Sequence, residues 1–95
     1  MKDKVETYIG FAIKKGSVVF GCDGIKKYRK KVYLLLGTKT LSQNSKDVLA
    51  RCAENFCCPL IETDDYETLL KKNCKALAIC DKSLATAILN ETTKS

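Results

Sequence analysis

The chain has no histidine among its 95 residues, and that absence removes much of catalytic chemistry. No imidazole is present to act as base toward a serine or cysteine nucleophile. The six cysteines (Cys22, Cys52, Cys57, Cys58, Cys74 and Cys80) include no Cys-x-x-Cys pair, so the paired ligands of a zinc site are missing as well. No stretch approaches the ~20 consecutive apolar residues that span a bilayer. Met1–Glu6 mixes charges where a signal peptide would carry an apolar segment. Linkers, internal repeats and low-complexity segments are absent. These observations lead to the expectation of one domain over residues 1–95, cytoplasmic, with reduced thiols, without metal or other cofactor, and not a membrane protein. Most of the cysteines sit at apolar positions and read as small core residues. Cys22 is the exception, because it lies in a turn where a helix N-terminus would make a thiol reactive.

An apolar content of 45% and a charged content of 29% are those of a globular protein. The net charge is +6, from 17 basic and 11 acidic residues, and it favours an anionic partner. The charge is also polarised. Residues 14–31 hold Lys14, Lys15, Lys26, Lys27, Arg29, Lys30 and Lys31 against one acid, Asp23, whereas residues 62–67 hold Glu62, Asp64, Asp65 and Glu67 with no base. One basic side is the arrangement a nucleic-acid binder uses.

Hydrophobic spacing predicts a helix over 3–15, with Val5, Ile9, Ala12 and Ile13 on one face and Gly16 as its C′ residue. A short strand follows at Ser17–Phe20. Val32–Leu36 is a continuous apolar run ended by Gly37, as expected of a strand buried on both faces. Asn44 or Ser45 caps a helix running to about Phe56, with Val48, Leu49, Cys52, Ala53 and Phe56 facing inward. Leu60–Thr63 is a third strand. Asp64 and Glu67 form a capping box for a short helix over 65–72. Ala76–Cys80 is a fourth strand, and Asp81 caps a last helix with Leu84, Ala85, Ala87, Ile88 and Leu89 inward. Residues 90–95 read as a frayed tail. The resulting order, α-β-α-β-α-β-α-β-α, implies an α/β/α sandwich around a four-stranded mixed sheet.

The turn Phe20-Gly21-Cys22-Asp23-Gly24 and the run from Ile25 to Lys31 organise the rest. Two glycines permit a tight bend and a close approach by a ligand. Asp23 is the expected N-cap of a basic helix over about 21–31, in which five of the seven residues from Ile25 to Lys31 are Lys or Arg. A helix starting here points free N–H groups where a phosphate can sit. The plainer reading is a strand-to-helix turn with a solvated helix face.

Four segments, in order and at the right spacing, resemble the ribosomal-protein family of kink-turn RNA binders, the L-seven-Ae and L-thirty-e proteins and their small bacterial relatives. They are Ile9-Gly10-Phe11-Ala12-Ile13-Lys14-Lys15-Gly16, Val19-Phe20-Gly21, Val32–Leu36, and Ala78-Ile79-Cys80-Asp81-Lys82-Ser83-Leu84-Ala85. The resemblance covers about Tyr8 to Leu89. It implies the same three-layer sandwich and an RNA contact at the turn after the first strand. Strict kink-turn binders carry Gly-x-Asn-Glu-x-x-Lys there; the Asn and Glu read sheared G·A pairs and the Lys meets phosphate. Gly21 and Lys27 match that pattern, but Asp23 stands in place of Asn and Gly24 in place of Glu. An aspartate lacks the amide donor, and glycine offers no acceptor. The groups that give affinity are therefore kept and those that give specificity are changed.

The second RNA contact implied by the resemblance is the loop before the last strand, here Lys72-Asn73-Cys74-Lys75. Lys39, after the second strand, is expected at the same sheet end. Gly21, Cys22, Asp23, Gly24, Lys26, Lys27, Lys39, Lys72, Asn73 and Lys75 would then form one RNA-facing rim. The expected function is binding of structured RNA, ribosomal RNA or a kink-turn, without chemistry. The alternative is a protein-interaction module of the same fold, pairing with a protein partner or a second copy, that has lost specific RNA recognition.

Overall fold

The computed structural model describes residues 4–63, 66, 69, 71 and 75–93. Among these residues, four helices and four strands have defined bounds: α1 (Lys4–Lys15), β1 (Val18–Phe20), α2 (Cys22–Lys27), β2 (Leu34–Thr38), α3 (Gln43–Phe56), β3 (Leu60–Thr63), β4 (Ala76–Ile79) and α4 (Lys82–Thr93). The strands form one mixed sheet in the order β1-β4-β2-β3, with β4 antiparallel to β1 and β2, and β3 parallel to β2. The expected helix over 65–72 falls largely outside the described residues, although Leu69 and Lys71 are helical. The Asp64–Glu67 capping box lies outside them too. No described helix is long and apolar enough to cross a membrane.

The two central strands, β2 and β4, are buried along their whole length. Successive side chains on a strand point to opposite faces, so these strands feed two separate cores. Leu34, Leu36, Leu77 and Ile79 pack with Val5, Ile9 and Ala12 of α1 and with Ala85 and Ile88 of α4. Leu35, Ala76 and Ala78 pack on the other face with Ile25 of α2 and Leu49 and Cys52 of α3. Ala76, Ala78 and Gly37 on this face are small, which lets α3 come close. At Gly37 an added Cβ would lie 3.1 Å from Leu49 Cδ1 and 3.2 Å from Leu41 Cδ2.

That contact corrects the expected second strand. Gly37 does not end the run; it and Thr38 continue the strand, and Val32 and Tyr33 precede it. The missing side chain serves packing by Leu41 and Leu49, not a turn. The cap of α3 is also displaced. Ser42, ahead of Asn44 and Ser45, accepts the Ser45 N–H at 3.2 Å. The last helix runs four residues into the expected tail, to Thr93, with Lys4 of α1 3.9 Å from Glu91. Cys52 is buried as expected of a small core residue, but Cys57 is exposed, in the left-handed conformation that ends α3.

Asp81 is the N-cap of α4 as expected, its carboxylate accepting the Leu84 N–H at 3.0 Å. It also accepts a hydrogen bond from the Lys15 ammonium, so the end of α1 is tied to the start of α4. That bond, then the bond from Leu84, holds the Asp81 carboxyl below its ordinary pKa. A carboxyl whose pKa is depressed by folding stabilises the fold above its unfolded pKa. The contribution disappears as pH falls through the folded value. Asp81→Asn keeps the cap acceptor and removes the charge. It is expected to lower the thermal midpoint at neutral pH, with the difference from wild type vanishing on acidification below the carboxylate range. Thermal melts across pH check this.

Candidate nucleic-acid interface

Strand register decides which loops meet. Phe20 pairs with Leu77, Gly37 with Ala76, and Thr38 with Thr63. The end of β1, the start of β4 and the ends of β2 and β3 therefore share one end of the sheet. Backbone hydrogen bonds continue the alignment beyond the strands. Gly21 donates to Ala76 at 2.9 Å, Thr38 to Lys75 at 2.9 Å, and Lys39 to Thr63 at 3.0 Å. Gly21, Lys39 and Lys75 come together at this end, as the sequence led us to expect. Lys72 and Asn73 lie outside the described residues.

The turn itself differs from expectation. Gly21 is the N-cap of α2, with φ 79° and ψ 153°, and no side chain caps the helix. Asp23 instead sits inside the first turn, exposed. The helix is only six residues long and stops at Lys27, because Tyr28 turns to extended backbone (φ −70°, ψ 131°). Tyr28 and Val32 pack against the second core, and that anchoring pulls the chain out of helix before Arg29. So short a helix sums few peptide dipoles, and the sequence had led us to expect a longer one. Gly24 faces β1, where an added Cβ would lie 3.3 Å from Val19 Cγ1.

A groove of about 410 Å³ opens at this end, bounded by Phe20 and residues 21–24, by Ser45 of α3, and by Lys75 and Ala76. The Cys22 thiol donates to the Ser45 carbonyl at 3.9 Å, which ties the turn to α3. Phe20 is 40% exposed, so an aromatic face stands beside the glycine turn. Phe20, expected in the turn, and Ser45, expected as a helix cap, were not among the expected site residues. Phe20 carried a signal, since it is the last residue of a short strand and immediately precedes the glycine. Ser45 carried none, because its place follows from the packing of α3.

Lys26 and Lys27 are both exposed on α2. Lys26 lines a different groove, with Arg29, Lys30 and Lys31, so the basic run is not part of a single rim. The chain passes across the sheet between Gly21 and Val32. Tyr33, following the basic run, donates to Ile79 at the opposite sheet end, at 2.9 Å.

Burial pushes Cys52 and Cys58 above the ordinary thiol pKa. Among the described residues, no three His, Cys, Asp or Glu side chains are grouped to hold a metal ion.

No protein-family model and no curated protein matches the chain. A solved structure, that of a protein with unknown function from Bacillus halodurans, is similar with a TM-score of 0.78 at 11% sequence identity, over 95% of this chain and 97% of that one. At that identity the likeness speaks for the fold, a mixed α/β domain of the same extent.

Proposed function

We propose that the chain is a cytoplasmic protein that binds structured RNA at the sheet end formed by the Gly21 turn, Lys39 and Lys75, with no chemistry of its own. The observation that carries this reading is the convergence of the glycine turn with two exposed lysines from separate loops, beside the exposed ring of Phe20. Lysines there supply phosphate contacts, and Phe20 supplies a face on which an unpaired base can stack. The changed pair at Asp23 and Gly24 supports general recognition of a folded RNA more than strict reading of sheared G·A pairs. One observation favours the second reading, a protein-binding module: Phe11 is 55% exposed on the outer side of α1.

Charge reversal separates the two. Lys39→Glu with Lys75→Glu is expected to weaken binding of a kink-turn RNA by about tenfold at low salt. It should also reduce the salt slope by about two, one for each phosphate that no longer meets a lysine. Phe11→Ser is expected to leave RNA affinity unchanged. If the double reversal binds like wild type, the rim is not the interface.

A further inference from the structure

The basic run that the rim does not use lines a groove of about 490 Å³ between the α2–β2 connection and the end of α3. Lys26, Arg29, Lys30 and Lys31 form one wall, and Asn55 and Phe56 stand on the other. No carboxylate lines it. Tyr28 and Phe56 are half-buried within it and packed on the core, so their rings are fixed in place. Lys31 is positioned as well, its ammonium 5.4 Å from the centre of the Tyr33 ring. Gly21, Lys39 and Lys75 take no part in this groove.

We propose that this groove is a second nucleic-acid site, which takes a single-stranded polynucleotide. The four cations suit a phosphate backbone, and the aromatic rings suit an unstacked base. Asn55 has both an amide donor and a carbonyl acceptor for a base edge. A duplex keeps its bases stacked inside and would leave the rings unused. A run of Asp and Glu would meet the charges but has no π-face for Tyr28 and Phe56. A protein with one site at each end of its sheet joins a folded RNA to a neighbouring single strand.

The test is a fluorescence-anisotropy titration with a labelled oligouridylate of about ten nucleotides, within the span such grooves cover. Lys30→Glu with Lys31→Glu is expected to weaken oligouridylate binding at least about tenfold, because two cations are withdrawn from the phosphate backbone, and to leave kink-turn RNA within about twofold. Lys39→Glu with Lys75→Glu should do the reverse. Phe56→Leu keeps apolar packing and removes the ring. With an unchanged circular dichroism spectrum, it should bind oligouridylate about fivefold more weakly or worse. Three results overturn the proposal: oligouridylate binding abolished in the Lys39/Lys75 variant and kept in the Lys30/Lys31 variant, displacement of the oligonucleotide by polyglutamate at equal charge, or wild-type binding by folded Phe56→Leu. Failure of the rim reading looks different. Kink-turn RNA would then go unbound while oligouridylate still bound through Lys30 and Lys31.

Discussion

A variant carrying Asp23→Asn together with Gly24→Glu is expected to bind a kink-turn RNA more tightly, by about thirtyfold relative to a duplex of equal length. The structure gives two reasons why the exchange is possible. Asp23 is exposed and caps nothing, so replacing it removes no contact that holds α2. At Gly24 the new Cβ would lie 3.3 Å from a single side-chain atom, Val19 Cγ1, in a helix that accepts any L-residue. A shift of a few tenths of an ångström in Val19 accommodates it. Asn supplies an amide donor at position 23, while the negative charge passes to position 24, so the net charge of the turn is unchanged. Glu restores an acceptor for a guanine edge. A well-placed base contact discriminates by about 1–3 kcal/mol, so the combined gain is set by how well both side chains reach. Binding titrations on the two RNAs read the ratio. An unchanged ratio in the folded variant would mean that this turn does not face the RNA.

Gly21→Val is expected to act on the fold first and on binding second. Its φ of 79° and ψ of 153° lie in a region that only glycine occupies readily. Holding a side-chain-bearing residue there costs about 1–3 kcal/mol, and a β-branched residue belongs at the upper end. For a domain of this size each kcal/mol lowers the melting midpoint by about 4–8 °C, so a fall of about 10–20 °C is expected. The added Cβ itself meets no atom within 4 Å, so the destabilisation would arise from the backbone and not from a clash. Gly24→Ala is the control, since it adds a Cβ in ordinary helical backbone, and it should melt close to wild type. Equal midpoints for Gly21→Val and Gly24→Ala would show that the turn relaxes without cost.

The parts of this fold legible in the sequence are those set by neighbours along the chain. The face of α1 repeats every three or four residues, and its end is marked by Gly16, which adopts a positive φ of 78°. Asp81 caps α4 through a bond to a residue three positions on. Strand pairing extended the reading to the site, because a buried run such as Val32–Leu36 demands neighbours on both sides. Legibility failed where distant contacts decide. Gly37 reads as a turn residue, but Leu41 and Leu49 need its empty space. Residues 25–31 read as one basic helix, but the anchoring of Tyr28 and Val32 in the second core divides it after Lys27. That single break takes Arg29–Lys31 out of the helix, and with Lys26 they line a basic groove separate from the one at the glycine turn, where one rim was expected. The acidic stretch shows the same limit, since Glu62 is 3.6 Å from Lys46 of α3, a pairing with no local signal.

The most direct test of the central claim is a titration of the wild-type chain with a kink-turn RNA and with a plain duplex of equal length, each at two salt concentrations. Tighter binding to the folded RNA is expected, with affinity for both falling steeply as salt rises. No binding to either RNA at low salt would contradict RNA binding at the sheet end and leave the exposed Phe11 face of α1 as the surface to pursue.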